Sequence, residues 1–433
     1  MKVRLLVIVL LIVGGFAALM LSTGTERSRQ QEYAQALANA RGYAEREIPY
    51  MSVQWYLQAI GMENRDETVY REYMAQAEKL GRDFYDAAVK NYIPSFPNSS
   101  TAYEERCEQQ YATGDYQSVI ATAKQANEHG ALTQKIVDLY YDCVYRYRYV
   151  ATGMDEAESF LGNYAKVCYG GKYGILNSSG AFLLAPNYLD VAEVVGSSTA
   201  VKDEQECYII NLQGYKIART SAPVDSLSFL SADHILISRD GRWGYTGTGL
   251  VIPDTLPYEA ATNYGYGVAA VKSSGRWALV DRDDRMLTDY VFEDVILSEA
   301  NTCINAGVIF AKQNGKYYMF NDQGEMLQEQ GFDDARLFED ADSLAAVCVD
   351  GAWGFVDRTG TMVIQPQFTD ARSFSIGLAP VSKNGVWGYI NPEGAYCVEP
   401  VFEDAKPFAA NGIAAVKEGG VWNYIQLLGY YTN

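Results

Sequence analysis

Histidine is nearly missing from this chain: His129 and His234 are the only two in 433 residues, and they stand far apart. That scarcity sets aside a histidine-based triad and a histidine-rich metal centre. Cysteine is also sparse. The seven residues (Cys107, Cys143, Cys168, Cys207, Cys303, Cys348 and Cys397) are odd in number, widely spaced and without a C-x-x-C pair, so neither a disulfide framework nor a zinc site is signalled. They read as small buried hydrophobes, with a Cys107 to Cys143 bridge left open. Positive charge is in deficit, with 35 Lys and Arg against 54 Asp and Glu, a net charge of −19. Residues 1 to 165 hold 16 basic against 21 acidic residues and the remainder 19 against 33, so the excess lies mainly in the second part. An acidic surface of this size repels phosphate backbones and excludes nucleic acid as a partner. No G-x-S-x-G, P-loop or H-E-x-x-H motif is present.

Long apolar runs are lacking everywhere except at the start. There Lys2 and Arg4 precede an uncharged run from Leu5 to Leu21, followed by neither a lipidation box nor a well-formed cleavage site. The run is read as an N-terminal membrane helix over 1–24, an anchor or signal-anchor with a cytoplasmic N-terminus and the bulk of the chain extracytoplasmic. A cleaved signal, and hence secretion, is the alternative.

What is present divides in two. From Glu26 to about residue 160 glycine is rare and apolar residues recur at helical spacing, as in Tyr70, Tyr73, Met74, Ala77 and Leu80. Pro94 and Pro97 break this α-helical segment, assigned to 25–160. After the break, "YEERCEQQYATGDYQSVIATAKQANEHG" and "KIVDLYYDCVYRYRYVATGMDEAESFLGNYA" each read as two helices with Gly114 or Gly153 at the turn. The pair resembles tetratricopeptide-like hairpins, with an ordinary helical stalk as the alternative. "YRYRY", Tyr145 to Tyr149, is read within a helix as packing residues.

Over 161–433 one pattern recurs. Aligned on the aromatic of Gly-x-aromatic, the anchors are Tyr173, Cys207, Trp243, Trp277, Tyr317, Trp353, Trp387 and Trp422, separated by 34, 36, 34, 40, 36, 34 and 35 residues. Six residues before each anchor stands an aliphatic residue, from Val167 to Val416. Four after it comes Asn or Asp in six units, and seven after it glycine in six, which is how a strand is stopped and turned. Each unit therefore predicts a three-stranded meander that cannot bury its apolar face alone, so neighbouring units must supply one another's core. The small residue after the anchor (Gly174, Gly244, Ala278, Gly354, Gly388) is assigned to admitting the next aromatic, and Phe332, Phe368 and Phe402 to filling the gaps between meanders. The expected fold is thus α + β and multidomain: membrane helix, helical segment, then an all-β array of about eight meanders. Because first and last units begin in the same phase, no strand is left over to latch the ends, which favours an open solenoid or a propeller-like array.

"GRWGY", "GAWGFVDRTGTMVIQPQF" and "GVWGYINPEGAYCVEPVFEDA" resemble the bacterial WG-repeat family, with its Gly-x-Trp-Gly, Asx-x-x-Gly and Phe-x-x-Ala signature. The resemblance implies binding or scaffolding in place of a reaction. No catalytic residue, cofactor or metal is expected: "VDRDDRM" and "FNDQGEM" lack calcium-loop spacing and sit where turns belong. The expected function is that of a membrane-anchored extracytoplasmic binding or scaffold protein, its partner a protein or glycan of the cell envelope. Tyr258, Tyr264, Tyr266 and Tyr290 are the candidate surface residues. The alternative is an extracytoplasmic carbohydrate-active enzyme with a carboxylate pair in a groove of the array.

Overall fold

The computed structural model describes residues 26–62, 66–228, 234–341 and 343–430. The chain divides into two compact units, one ending at Val144 and the other beginning at Tyr145. The membrane-helix reading of residues 1–24 falls outside the described residues. Among those described, no helix is long and apolar enough to cross a membrane, so the expected membrane helix has no support in the fold.

Seven helices make up the described part of the first unit: α1 (26–45), α2 (Pro49–Met62), α3 (Glu67–Leu80), α4 (Arg82–Ser95), α5 (Ser100–Ala112), α6 (Tyr116–Glu128) and α7 (Gln134–Val144). Their starts follow from side-chain caps: Asp66, Ser99 and Asp115 each accept a hydrogen bond from an N–H of the first turn. Tyrosine builds the core, with Tyr70 stacked on Tyr92 at 5.0 Å and Tyr73 and Phe96 edge-on to Tyr70. Two of the hydroxyls are satisfied by acids, Tyr92 by Glu67 and Tyr56 by Glu72. Gly114 turns α5 into α6 as expected, with φ at 75°. The second hairpin does not form. After α7 the chain is extended from Tyr147, and Gly153 lies in a strand, so the tetratricopeptide-like resemblance has no support. Cys107 and Cys143 are buried and unbridged.

From Tyr145 onward the structure is a closed eight-bladed β-propeller, which corrects the expected array of three-stranded meanders with unlatched ends. Blade 1 runs over 156–188, blade 2 over 190–219, blade 3 over 226–246, blade 4 over 260–281, blade 5 over 294–320, blade 6 over 334–368, blade 7 over 370–402 and blade 8 over 404–427. Five sheets have four strands, because part of the supposed linking segment is itself the first strand. Asp334–Ala335, Asp370–Ala371 and Asp404–Ala405 pair antiparallel with the strand that follows. Blades 3 to 5 have three named strands, and isolated bridges such as Trp277 to Phe292 hold the outer position.

Closure comes from Tyr147–Met154, the segment read as helical from sequence. It pairs antiparallel with Val421–Leu427 and gives blade 8 its outermost strand. A strand from upstream of blade 1 is thereby hydrogen-bonded to the last strand of the chain. Gly153 N–H donates to Asn423 Oδ1 at 3.0 Å, and the backbone twists through two register shifts at that point. The apolar clusters give the same result independently. Each joins two successive blades, and the set closes on itself: Ile413, Ala415 and Tyr424 of blade 8 pack with Ala165, Val167 and Leu176 of blade 1. Closure removes the exposed edges that an open array would carry at its ends.

Candidate binding site

The repeated residues are consumed by the framework. The aliphatic position six before the anchor is 2% exposed or less in every blade. Asn177, Asn211, Asp281, Asn321, Asp357 and Asn391 each accept backbone N–H bonds from the turn that follows. An acid ahead of the short first strand binds the N–H groups of its own blade's hairpin, as Glu259 before Ala260–Ala261 does for Gly275 and Glu403 before Asp404–Ala405 does for Gly420. Trp277, Tyr317, Trp353 and Trp387 are buried, while Tyr173, Trp243 and Trp422 are half-buried. Cations cover several of these rings, Arg336 over Trp353 at 4.3 Å and Arg372 over Trp387 at 4.8 Å. The glycine after the anchor has a different purpose from the one expected. A Cβ on Gly354 would lie 2.5 Å from Ile364 O and 2.8 Å from Pro366 N, so this glycine admits the bulged outer strand of its own blade, not the next aromatic.

Several side chains that do not repeat come together in one place. A cavity of about 570 Å³ is lined by segments of blades 1, 2, 4, 5, 6, 7 and 8, all of them following the innermost strand of their blade. Residues drawn from so many blades meet only around the propeller axis. Blade 5 contributes most. Its anchor follows the previous one after 40 residues, the longest interval in the array, and the extra length forms the loop between Val295 and Ile309 that lines the cavity from Ile296 to Asn305. This loop is tied at both ends of its reach. Asn263 N–H donates to Asn301 O at 2.8 Å, while Glu299 accepts from Ser159 N–H of blade 1 at 2.7 Å and pairs with Lys406 of blade 8 at 2.5 Å. Glu299 thus spans the axis and lands on both sides of the closure seam.

Four glutamates, Glu158, Glu193, Glu299 and Glu339, line the cavity together with Arg336 and Arg372. Their surroundings push them apart. Burial raises the carboxyl of Glu158 to about 7, with Glu299 and Glu193 adding to the rise and Lys166, 3.4 Å away, opposing it. Glu339 is ringed by protein yet open to the water of the cavity. Lost solvation raises it to about 7, reinforced by Glu299 and Asp340. Burial also moves Glu193 upward. For Glu299 burial acts in the same direction, but the ammonium of Lys406 and the bond from Ser159 outweigh it and hold the group below its ordinary value.

Two of the four tyrosines singled out from sequence, Tyr264 and Tyr266, line this cavity. Tyr264 is buried and donates to Asp284 Oδ1, whereas Tyr266 is 69% exposed. Tyr258 instead bridges Trp243, and Tyr290 stands exposed; neither lines the cavity. Sequence reasoning missed the glutamates. The available signal was the long interval before Tyr317, which marks an insertion without revealing that it points to the axis.

The hydrogen-bonded ring of eight sheets puts this unit in the β-propeller class. Within it, the family described as WG containing repeat matches residues 353–387 and 387–422, each stretch running from one anchor tryptophan to the next, so this part of the ring carries WG repeats. No curated protein matches the chain. Among solved structures it is similar to the CNH domain of AfRom2, at 8% identity and a TM-score of 0.35, covering 65% of this chain and 100% of that one. BBS1N, solved in complex with ARL6DN, matches at 12% identity and a TM-score of 0.30, covering 65% of this chain and 93% of that one. The extracellular domain of a putative hybrid two component system from B. thetaiotaomicron matches at 11% identity and a TM-score of 0.26, covering 61% of this chain, which spans 42% of that one. At such scores the blade count rests on the hydrogen-bonded topology alone.

Proposed function

We propose that this protein is an interaction scaffold that holds a protein partner of the cell envelope at the axial cavity of its propeller. One observation carries the reading: most repeating side chains are spent on turns, blade cores and cation–ring stacks, while the non-repeating Glu158, Glu193, Glu299 and Glu339 converge on one concave site. The WG repeats match this role, since repeat propellers in general serve as frameworks and not catalysts. The same proposal includes location: Lys2 and Arg4 ahead of the uncharged run Leu5 to Leu21 direct the residues after 24 out of the cytoplasm. Protease accessibility in intact cells tests that part; full protection of the propeller would overturn it.

A second reading, a carbohydrate-active enzyme, draws on the opposed shifts of Glu158 and Glu299, the pattern of an acid beside a carboxylate. Both oxygens of Glu299 are engaged, however, one with Lys406 and one with Ser159, which leaves it poorly placed to act as nucleophile or base. The binding reading is therefore preferred. It is tested by capturing partners from envelope extract with the full chain and with Ala300→Trp, which fills the cavity, alongside retention on cell-wall glycans. Loss of capture in a variant with unchanged melting supports the scaffold. Capture that survives overturns the cavity as its site, and glycan fragments released by the parent but not by Glu158→Gln would establish the enzyme.

A further inference from the structure

The geometry points to a basic side chain of the partner polypeptide, a guanidinium or ammonium group on its alkyl stem, as what enters the axial cavity. This rests on the cavity being the binding site and names the chemistry it takes.

The charges of the wall decide the sign. Arg336 is held by Asp334 at 3.1 Å and Asp370 at 3.7 Å, and Arg372 by Asp404 at 2.9 Å and by a bond to Ala405 O. Both guanidinium groups lie over tryptophan rings and are already paired, so they offer little to an incoming anion. Lys406 is spent on Glu299, and Lys166 is divided between Glu158 and Asp190. The carboxylates are not matched in the same way. Glu193 accepts from Ser228 Oγ at 3.3 Å and from its own backbone N–H, and makes no ion pair among the described residues. Glu339 has neither a side-chain hydrogen bond nor an ion pair among them, and it has no cation among the groups that shift it. The site thus carries unmatched negative charge next to apolar surface, Leu297, Ile304 and Phe338, along which an alkyl stem can lie. The ring of Tyr266, exposed at the rim, offers a face to a cation.

Size and ligand set narrow the class. The volume accommodates a long side chain with its water. No group of three or more metal-binding side chains occurs among the described residues, so the fit is to an organic cation and its directional hydrogen bonds. Behind the wall Asn263, 1% exposed, donates to Ala300 O at 2.8 Å and so fixes the loop that carries Glu299. Proton linkage follows from the raised carboxyls. Facing the cation are Glu158, Glu193 and Glu339, with Lys166, Arg336 and Arg372 as the nearby positive groups and Glu299 neutralised by Lys406. A cation that binds displaces protons from Glu158 and Glu339, so binding tightens as pH rises from about 6 to 8.

The test uses the full chain and a fluorescent glycine- and serine-based peptide containing two arginines, with glutamate and glutamine versions as controls, read by polarisation. The arginine peptide is expected to bind, to weaken with added salt and to lose about five- to tenfold in affinity to the double variant Glu193→Gln, Glu339→Gln. Glu329→Gln, on the loop following the blade 5 turn, is expected to leave binding unchanged, and melting curves verify that each variant folds. Equal binding of the glutamate peptide, or binding indifferent to the double variant, overturns the assignment. The two levels separate cleanly. If arginine peptides fail while Ala300→Trp still abolishes envelope capture, the ligand class falls and the site stands; if capture also ignores Ala300→Trp, the site itself falls.

Discussion

Removing Glu299 tests whether the propeller is braced across its axis. The carboxylate receives Ser159 N–H at 2.7 Å from blade 1 and Lys406 Nζ at 2.5 Å from blade 8, so Glu299→Ala cuts two charge-assisted contacts at once. Buried bonds of this type contribute about 1.5 to 3 kcal/mol each. Here the Glu299 side chain is 42% exposed, so solvent screens the pair, while that of Lys406 is 14% exposed and would be left nearly dry without its partner. The two effects together give an expected loss of about 2 kcal/mol, which in a domain of this size lowers the melting temperature by roughly 4 to 8 °C. Scanning calorimetry measures it, with Glu329→Ala as an exposed control. Hydrogen exchange adds a spatial readout, since the latch strand Tyr147–Met154 should lose protection before the blade cores do. The pH dependence has a fixed sign. The folded-state pKa of Glu299 lies below the unfolded value, so its contribution is present above the unfolded pKa and disappears as pH falls through the folded one. An unchanged melting temperature at pH 7, or a loss that persists undiminished in strong acid, would refute the bracing.

The remaining predictions concern framework and cavity. Trp387, 6% exposed beneath Arg372, should cost about 3 to 5 kcal/mol on replacement by alanine; unaltered melting would contradict its role in the core. Gly354→Ala forces a methyl group against the backbone of the outer strand and should cost about 1 to 3 kcal/mol. Gly394→Ala meets open space and only the strain of φ at 82°, about 1 to 2 kcal/mol, so the ranking from denaturant titrations separates close approach from turn geometry. Glu339 behaves oppositely to Glu299. Its folded pKa is raised to about 7, the folded chain holds the extra proton, and stability falls as pH rises from the ordinary carboxylate range through 7. Glu339→Gln should therefore gain on the parent in melting temperature between pH 5 and 8, and a constant difference would contradict the raised carboxyl.

The turn chemistry was legible because it is local: an Asn or Asp and a glycine at fixed offsets from the anchor dictate where a strand ends, whatever surrounds it. Asp284, which stands where most units have glycine, adopts the same left-handed backbone at φ 58°. The burial of Val271, Val347 and Val381 was equally legible from their constant spacing. The reason for Gly354 was not, because the backbone that crowds it lies beyond the next turn and reaches it only through a bulge.

Closure and the site belong to a different range of interactions. "YRYRY" alternates aromatic and charged residues with the period of a strand, a signal that the helical reading passed over, but its partner is not written in it: Tyr147 pairs with Leu427, and that pairing exists only once all eight blades have set the curvature of the ring. The cavity depends on the same condition, since Glu158, Glu299 and Lys406 are distant in sequence and meet only when the ring is complete. By itself the sequence determined the repeat, its turns and its buried stripe, all governed by backbone geometry within a few residues. Only the tertiary structure decided that the array closes, which segment latches it and which acids face one another across the axis, because those outcomes depend on how small rotations between neighbouring blades add up over the whole circuit.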